Sequence, residues 1–482
     1  MWSPMGIGLS CNPADPPSSR VAVWPIALLF LVRCLSAATY YVAANGSDAN
    51  PGTSSEPFQT LQQAADTALA GDTVVVRDGT YGHQNAVTGG DASNDEHSPV
   101  VLHNSGNPSA WITIKSEHQW GAVLDCEMLC DAYINLYNAS YVAIQGFVIT
   151  RGYKEGIHSN DGAHHIALQG NRFEFIANRS SSSPLGLDGM YTNPNCHDFV
   201  VDGNVFHDIG RTNQNWLDHG LYLHGWNFTI INNVFYNIPH GWSIQAADGL
   251  SNLLIANNTF AFPNAGGQDG QIMLWNVQSD IAIQNNIFYS PRNYAIARYN
   301  STLSACVIDH NLLYGALGMI SDAGGCAVGG PTGGDPNFVN VTSAPFDFHL
   351  QAGSPAIGAG IRLAAVPADF DGDDRSQIPA VAIGAYEYET PPTLEITNTT
   401  RGGNASWLVG DQWAVTITGG RPNAQVAVTV GTWSAVLGYC DGAGNFGASG
   451  QAYPGNIGTS YEVWTVGGAR VNPNPLVIIV FP

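Results

Sequence analysis

Short stretches of alternating apolar and polar residues recur through the middle of the chain, as in Phe228–Ile231, Leu253–Ala256 and Ile281–Gln284. Alternation with a period of two residues is typical of β-strands. Each stretch is followed by an Asn and, two positions later, by Phe or Leu. The Asn recurs at steps of 33, 29, 25, 28 and 25 residues, at Asn171, Asn204, Asn233, Asn258, Asn286 and Asn311. A period in this range predicts a stacked array.

Units this short predict a parallel β-helix, in which two or three short strands form one rung of a coil. They leave no room for the helical segment of a leucine-rich or ankyrin repeat. A propeller blade would need longer strands and about 40 residues. We expect the Asn side chains to stack from rung to rung and to bond the backbone of the turn, and the Phe after each Asn to stack inside the coil.

The N-terminal part of this region supports the same fold. An amphipathic helix is predicted at Pro57–Ala70, before a first strand at Asp72–Val76, and such a helix would cap the open apolar end of a solenoid. The motifs around it are Tyr40-Tyr41-Val42, Asn45-Gly46-Ser47-Asp48, Asn50-Pro51-Gly52-Thr53, Gly71-Asp72-Thr73-Val74 and Asp78-Gly79-Thr80-Tyr81.

These motifs resemble the opening of secreted right-handed parallel β-helix proteins of the pectate-lyase-like superfamily. The run between Gly334 and Glu387 is similar to the closing segment of many such proteins. The resemblance covers roughly residues 39–390 and implies an all-β, right-handed parallel β-helix. It leaves the reaction open, because lyases, hydrolases, epimerases and adhesins share this fold.

Two further segments flank the predicted solenoid, which occupies residues 39–390 with its capping segments. Residues 1–38 are predicted to be a signal peptide, because Val21–Val32 is apolar but short for a membrane span and Ser36-Ala37-Ala38 suits cleavage. Residues 391–482 are predicted to form an immunoglobulin-like β-sandwich. Its strands are expected at Trp413–Ile417, Gln425–Val430, Glu462–Val466 and Val477–Val480. We expect a secreted, extracellular monomer with no membrane span once the signal is removed.

Charge narrows the range of partners. The chain has 16 Lys and Arg against 38 Asp and Glu, a formal net charge of −22, and its only lysines are Lys115 and Lys154. Such a surface repels phosphate backbones and anionic headgroups, which argues against nucleic-acid or membrane-surface binding. An acidic polysaccharide would therefore need a local cation, and Ca²⁺ is the candidate cofactor. The alternating Asp369, Asp371 and Asp373 could also hold Ca²⁺ or form a solvated turn.

The cysteines fit an exported protein, in which disulfides can form. Cys126 with Cys130 and Cys306 with Cys326 are the plausible local pairs. Zinc binding is the weaker interpretation, because the chain has no Cys-x-x-Cys pair.

A column of ionisable residues appears when the rungs are aligned by the Gly before each strand. The aligned glycines are Gly156, Gly189, Gly220, Gly241 and Gly270. The residues before them are Glu155, Asp188, His219, His240 and Asp269. Neighbours in such a column lie about 5 Å apart, where like charges repel, so a purely structural ladder would not select them. The catalytic candidates are Asp188, Asp218, His219, Tyr222 and His240, although a single His in a solenoid is more often a turn or ladder residue.

Two further columns are expected to point outward from the same strands. One comprises His158, Tyr191, Tyr222 and Ser243; the other comprises Asn160, Asn193, His224, Gln245 and Trp275, with Arg298 on the next rung. Aromatic rings and amides on an exposed face suit a sugar-binding groove. The candidate substrate-binding residues are His158, Tyr191, Asn193, His224, Gln245, Trp275 and Arg298.

Two reactions fit these residues. In β-elimination, His219, Tyr222 or His240 would act as base and acid, while Arg298 or a Ca²⁺ ion held by Glu155 and Asp188 would neutralise the uronate carboxylate. The lysine base motif of the best-known β-helix pectate lyases is not evident here.

Hydrolysis instead needs two carboxyl groups around the scissile bond. The order Asp188, Asp218-His219, His240 resembles that of the polygalacturonase hydrolases, but His219 stands where that family has a second acid and no Arg-x-Lys follows. The sequence predicts a polysaccharide lyase that cleaves a uronate-containing polysaccharide. A polygalacturonase-like hydrolase and a non-catalytic extracellular scaffold or adhesin are the alternatives.

Overall fold

A computed structural model of the chain describes most of the predicted solenoid and parts of the C-terminal region. The described residues are 37–83, 87–88, 97–178, 186–211, 213, 216–262, 269–277, 279–301, 303–388, 393–402, 406–419, 425–430, 433–441, 445–451, 458–466, 469–470 and 476–481. The predicted signal peptide, residues 1–38, lies outside this set except for its last two residues. The domain boundaries given above stay predictions.

Three parallel sheets run through the repeat region, because each rung contributes one short strand to each sheet. Sheet 1 consists of Thr39–Val42, Thr73–Val76, Ile112–Ser116, Ser140–Gln145, His164–Gln169, His197–Asp202, Trp226–Ile231, Ser251–Ala256, Ser279–Gln284, Ser304–Asp309 and Ala327–Val328. Sheet 2 consists of Gly79–Tyr81, Ala122–Asp125, Val148–Thr150, Arg172–Glu174, Val205–His207, Val234–Tyr236, Thr259–Ala261, Ile287–Tyr289, Leu312–Tyr314 and Thr332–Gly333. Sheet 3 consists of Val100–Leu102, Ile134–Tyr137, Ile157–Asn160, Met190–Thr192, Leu221–Leu223, Ile244–Ala247, Ile272–Trp275, Tyr294–Tyr299 and Gly318–Ile320. The predicted parallel β-helix is confirmed.

Buried Asn side chains form a ladder along the turn between sheets 1 and 2, as predicted. In Asn233, Nδ2 donates to Oδ1 of Asn258 at 2.9 Å and to the carbonyl oxygens of Val201 and Ile231 at 2.8 Å. Its Oδ1 accepts the backbone N–H of Asn204 at 2.9 Å. The amide is therefore satisfied inside the coil, which is the condition for burying so polar a group.

The residue before each ladder Asn has a left-handed backbone, which explains the Gly-Asn and Asn-Asn pairs of the repeat. The φ angle is 64° at Gly203, 54° at Asn232 and 52° at Asn257. Gly and Asn enter this region at the least steric cost. The turn therefore requires the first residue for its backbone and the second for its amide.

The aromatic residue of each repeat stacks inside the coil, again as predicted. Successive ring centroids lie between 4.5 and 5.1 Å apart. The stacked and fully buried rings are Phe173, Phe206, Phe235, Phe260 and Phe288. Inward-facing aliphatic residues of the other sheets join the same apolar cluster. The core is therefore one continuous column along the coil.

A short helix packs against the first strands of the coil, which confirms the predicted cap. It spans Leu61–Thr67, fewer residues than Pro57–Ala70, because the side chain of Thr60 caps its N-terminus. The prediction that the strand at Thr73–Val76 is the first strand is wrong. Thr39–Val42 precedes it and pairs with it in parallel, so the motif at Tyr40-Tyr41-Val42 is itself a strand.

The segment after the last rung is held by its own polar contacts. Two antiparallel strands, Phe338–Asn340 and Asp347–Leu350, are followed by a 3₁₀ turn at Arg375–Gln377. The carboxylate of Asp369 accepts backbone N–H groups of Asp371 and Asp373 at 3.0 and 2.8 Å. In the described structure, this carboxylate therefore stabilises a turn. A second small antiparallel pair joins Val87–Thr88 to His97–Ser98.

The C-terminal region forms two sheets that fit the predicted β-sandwich. The first contains Thr393–Asn398, Gln412–Thr418 and Phe446–Gln451. The second contains Ser406–Leu408, Gln425–Val430, Trp433–Tyr439, Gly458–Val466, Ala469–Arg470 and Leu476–Phe481. All four strands expected from the sequence are present, and an apolar cluster around Val415, Ile417 and Val426 provides a core.

Both predicted disulfides are present, Cys126–Cys130 and Cys306–Cys326. Cys196 and Cys440 are buried free thiols. Within the described part of the chain, none of the helices has the length and apolar character needed to cross a bilayer.

Candidate active site on sheet 3

The outer side of sheet 3 carries the predicted site residues, and the strand register corrects the columns drawn from the sequence. Tyr222 lies opposite Gln245, not Ser243. Alignment by Gly fails on this rung because Gly241 is three residues before its strand, whereas Gly220 directly precedes its own. As a result, Gln245 joins the column of Tyr191 and Tyr222. His240 and Asp269 leave the ionisable column.

Glu155, Asp188 and His219 do stand on consecutive rungs, each two residues before the first paired residue of its strand. All three are buried. Asp188 accepts the backbone N–H of His219 at 2.9 Å. Burial, followed by the negative charges of Glu155 and Asp218, raises the pKa of Asp188 well above its ordinary value. Burial therefore disfavours the ionised form of Asp188.

His219 is neutral for a different reason. Burial lowers its pKa to about 3. Its Nδ1 accepts the backbone N–H of Trp242 at 3.1 Å, which assigns the ring proton to Nε2. The ring also stacks on Trp242 with centroids 5.4 Å apart. So weak a base is a poor proton acceptor, and these contacts suit a residue that connects two rungs.

Asp218 is part of a buried ion pair. Its Oδ2 accepts the backbone N–H of Arg211 at 2.7 Å and Nε of the same residue at 3.0 Å. Both side chains are fully buried. A carboxylate held in this way has its lone pairs committed to the guanidinium, which leaves little capacity for a substrate.

Two other candidates stand apart from the centre of the site. Arg298 is ion-paired with Asp322, and its Nε donates to the carbonyl oxygen of Asp322 at 3.1 Å. Its charge is therefore already matched. His240 is half-buried, and its Nδ1 has no hydrogen-bond partner among the described residues.

His224 has the best-defined orientation for proton transfer. Its Nδ1 lies 2.9 Å from the carbonyl oxygen of Thr192 and can only donate there. Its backbone N–H donates to Oγ1 of Thr192 at 2.8 Å, and that hydroxyl donates to the carbonyl oxygen of His224 at 3.0 Å, so three hydrogen bonds join the two residues. Nε2 is then left as the proton acceptor, 3.8 Å from the half-exposed carboxylate of Asp248. Burial lowers the pKa of His224, despite opposing contributions from Thr192 and Asp248.

Two tyrosines surround this imidazole. The ring of Tyr222 lies 4.7 Å from that of His224, and the ring of Tyr191 lies 5.6 Å away. Burial, together with nearby negative charge, raises the pKa of each phenol to about 12. Both are therefore protonated hydrogen-bond donors at neutral pH. His158 lies beyond Tyr191, with Nδ1 2.9 Å from Oε2 of Glu155.

Groups able to contact a sugar extend along the same sheet. Gln245 is buried beside Tyr222, and Asn193 follows the strand of Tyr191. Trp275 stacks on Tyr299 with ring centroids 4.2 Å apart, and both rings are exposed. Stacked exposed rings next to amides and hydroxyls are suited to holding a pyranose ring.

A Ca²⁺ site at Glu155 and Asp188 stays a prediction. Glu155 is paired with His158, and Asp188 accepts the backbone N–H of His219; Ca²⁺ would need six to eight oxygen ligands in all. Within the described residues, His, Asp and Glu ligand atoms converge in two groups of three, neither of which contains these carboxyls. The groups are His164, His165 and His197, and Asp78, Glu117 and His118.

Sequence reasoning missed the partners that orient the site. These partners are Thr192, Arg211 and Trp242. Their contacts depend on loops and on the spacing between adjacent rungs, which the repeat does not specify. Tyr299 was detectable, since it falls one rung after Trp275.

A cleft on sheet 2 was also missed. It has a volume of about 910 Å³, and its lining includes Trp120, Phe175, His207, Tyr236 and Phe346. The closing segment supplies one wall, and contacts between segments so far apart in the chain are not visible in a local repeat.

Comparisons with known proteins agree with this architecture. Residues 40–180 match the family model described as the Pel9A-like, right-handed beta helix region. The three-sheet coil continues beyond this match, so the chain folds as a right-handed parallel β-helix, and its N-terminal rungs are similar to the Pel9A-like family.

Individual relatives match only parts of the chain. An uncharacterized protein, YwoF, from Bacillus subtilis (strain 168) is 29% identical over 148 residues, which is 28% of this chain and 28% of that protein. Pectate lyase PEL9 from Emericella nidulans is 45% identical over 60 residues, which is 12% of this chain and 14% of the enzyme. The crystal structure of pectate lyase Pel9A superposes with a TM-score of 0.40 at 14% identity, covering 73% of this chain and 97% of that one. The chain thus spans under a third of the length of either curated relative.

Proposed function

We propose that this protein is a secreted polysaccharide lyase that cleaves a uronate-containing polysaccharide by β-elimination on the outer side of sheet 3. The observation that carries the proposal is the orientation of His224. Thr192 occupies Nδ1, so the lone pair of Nε2 is available, and burial keeps the imidazole neutral at neutral pH. A neutral, oriented imidazole is suited to general-base catalysis.

Tyr222 supplies the acid in this scheme. His224 Nε2 removes the proton from the carbon next to the uronate carboxyl. The electron pair forms a carbon–carbon double bond as the bond to the glycosidic oxygen breaks, and the Tyr222 hydroxyl protonates that oxygen. Solvent then returns a proton to Tyr222 and accepts one from His224. The two rings lie 4.7 Å apart between centroids, which supports a scheme in which acid and base act from the same side of the sugar.

Neutral donors would stabilise the negative charge that develops on the carboxylate. Asn193, Gln245 and the Tyr191 hydroxyl lie along the same strands and can donate hydrogen bonds without a formal charge. The Trp275–Tyr299 pair would hold a neighbouring sugar by stacking. The chain has a net charge of −22, which would repel an acidic substrate. Neutral hydrogen-bond donors in the site would bind the substrate carboxylate without adding to this repulsion.

Hydrolysis is less well supported, because it needs two carboxyl groups that can reach the substrate. Asp188 has the raised pKa of a general acid but is fully buried, and Asp218 is held by Arg211. A requirement for Ca²⁺, with Glu155 and Asp188 as its ligands, remains a prediction.

The test is an assay of the purified full chain on a panel of polyuronates, following the ultraviolet absorbance of unsaturated product and, separately, the release of reducing ends. We expect absorbance and reducing ends together in the wild type, and at least a hundredfold loss in His224→Gln. His103→Gln changes an exposed His at the end of sheet 3, four strands away from His224, and should be unaffected. Reducing ends without absorbance would indicate hydrolysis, and neither signal would indicate a scaffold. Activity that persists unchanged in a chelator would argue against Ca²⁺.

A further inference from the structure

The outer side of sheet 1 presents pairs of consecutive side chains, because the second residue of most of its strands has a left-handed backbone. The φ angle is 53° at His165, 58° at Asp198 and 62° at Asn227. This local change interrupts the in–out alternation of the strand. His164 and His165 are consequently both partly exposed, while the next residue, Ile166, is fully buried in the core.

On two neighbouring rungs these pairs form an array of four metal-binding side chains. His164 lies opposite His197 in the strand register, and His165 and Asp198 are the residues that follow them. Nδ1 of His164 is 2.8 Å from Nδ1 of His165, and Nδ1 of His165 is 3.7 Å from Oδ2 of Asp198. Ligand atoms of the three imidazoles all lie within 4.8 Å of one another. In a tetrahedral Zn²⁺ site with Zn–N bonds of about 2.0–2.1 Å, ligand nitrogens are roughly 3.3 Å apart.

The imidazoles are held in place by neighbouring rings. The ring of His197 stacks on that of Trp226 with centroids 4.4 Å apart, and the ring of Tyr141 lies 4.4 Å from that of His165. The rings of His164 and His197 also stack on each other in parallel, with centroids 4.9 Å apart and an interplanar angle of 1°. Because a metal ion lies near the plane of each imidazole that binds it, one of these two rings must turn for both to bind the same ion.

Polar contacts organise the carboxylate in the same way. Asp198 Oδ2 is 2.5 Å from Nδ1 of His197, and Asp198 Oδ1 accepts Nδ2 of Asn227 at 2.9 Å. Asn252 on the following rung then donates to Asn227 at 2.6 Å. A carboxylate that bonds the second nitrogen of a ligating His, and is itself hydrogen-bonded, is the usual outer shell of a His-bound metal.

We propose that His164, His165 and His197 bind one divalent transition-metal ion of the Zn²⁺ class, with Asp198 as the carboxylate partner of His197. Three imidazoles with a carboxylate select borderline metals such as Zn²⁺ over Ca²⁺, which prefers oxygen ligands. The ligands lie on sheet 1 and not on sheet 3, so the site is distinct from the proposed catalytic one. Because it joins residues of two adjacent rungs, the bound ion would stabilise the coil.

The test uses the full chain without a histidine tag, stripped with a chelator and dialysed. Calorimetric titration with Zn²⁺ should give one ion per chain, and Co²⁺ should produce visible d–d absorption bands. His165→Gln and His197→Gln should each weaken binding at least about tenfold and abolish the rise in melting temperature on adding Zn²⁺. His103→Gln provides a matched control that should bind as the wild type does.

Three results would overturn the proposal. One is the absence of stoichiometric Zn²⁺ binding by the wild type. Another is Zn²⁺ binding of equal strength by His165→Gln and His103→Gln. Either of these two results would mean that the three histidines form an aromatic stack and no metal site. The third is Zn²⁺ binding that His224→Gln removes and His165→Gln does not, which would place the ion on sheet 3. Circular dichroism of each metal-free variant checks that the coil is intact, and none of these readouts depends on lyase activity.

Discussion

The carboxylate of Asp218 is bound by both the backbone N–H and the guanidinium of Arg211, and both side chains are inaccessible to solvent. Removing one member of a buried pair leaves the other charge unmatched at a cost of about 3–5 kcal/mol. Asp218→Asn should therefore lower the free energy of unfolding by about that amount, measured by urea denaturation. Asp322→Asn removes the exposed partner of Arg298 and should change the denaturation midpoint little. Equal effects of the two substitutions would refute the structural role of Asp218.

His219 should make the stability of the coil depend on pH. Its pKa is about 3 in the folded chain and near 6.5 when unfolded, so below pH 6.5 the unfolded chain binds a proton that the folded chain does not. The free energy of unfolding is unaffected by this group above pH 6.5. It decreases as pH falls from 6.5 toward 3, by up to about 1.4 kcal/mol per pH unit. His219→Asn keeps an acceptor for the Trp242 N–H but cannot be protonated. Denaturation curves at pH 7 and pH 5 should differ less in this variant than in the wild type, and an unchanged difference would exclude His219 as the source.

The repeat made the fold predictable because its determinants are local. The Asn ladder and the left-handed residue before each ladder Asn belong to one turn, and the same turn recurs on each rung. The Phe stack follows from the same periodicity. The C-terminal strands were likewise visible as short alternating segments.

The site was less predictable because it depends on spacing between rungs. Alignment by Gly placed Ser243 opposite Tyr222, whereas two extra residues on that rung bring Gln245 there. Asp218 looked like a catalytic acid because nothing in the repeat indicates that Arg211, in a loop, lies beside it. His224 was recognised only as a sugar-binding candidate, since its orientation depends on Thr192 from the preceding rung.

The Asn ladder should be a large contributor to stability. Asn233→Ala would remove the Nδ2 donor to the carbonyl oxygen of Val201 and to Oδ1 of Asn258, and it would leave the buried backbone N–H of Asn204 without its acceptor. A single buried group left in this way costs about 1–3 kcal/mol, so we expect destabilisation at the upper end of that range or beyond. Asn195→Ala, at an exposed turn residue, is the control. Thermal denaturation of the two variants provides the comparison, and similar midpoints would show that the ladder contributes little.

The proposed base and acid predict the shape of the pH–rate profile. Burial lowers the pKa of His224 below 6.5, so kcat/KM should rise with pH and reach its plateau with a midpoint under pH 6.5. The Tyr222 pKa of about 12 keeps the acid protonated at neutral and moderately alkaline pH. Tyr222→Phe should lower kcat and retain the acid limb, because His224 is still present. A limb with its midpoint above pH 7 would point to a different base.

The exposed ring pair predicts how substrate is held. Trp275→Ala removes the ring that stacks on Tyr299, and the loss of one sugar-stacking surface, about 0.5–1.5 kcal/mol, corresponds to a rise in KM of about two- to tenfold. The value of kcat should change little, because the ring is away from His224 and Tyr222 along the sheet. Trp226→Ala removes a ring of similar exposure from sheet 1 and should leave KM unchanged. If Trp275→Ala lowered kcat with KM constant, the ring would act on the chemistry and not on binding, and the groove would have to be placed elsewhere on sheet 3.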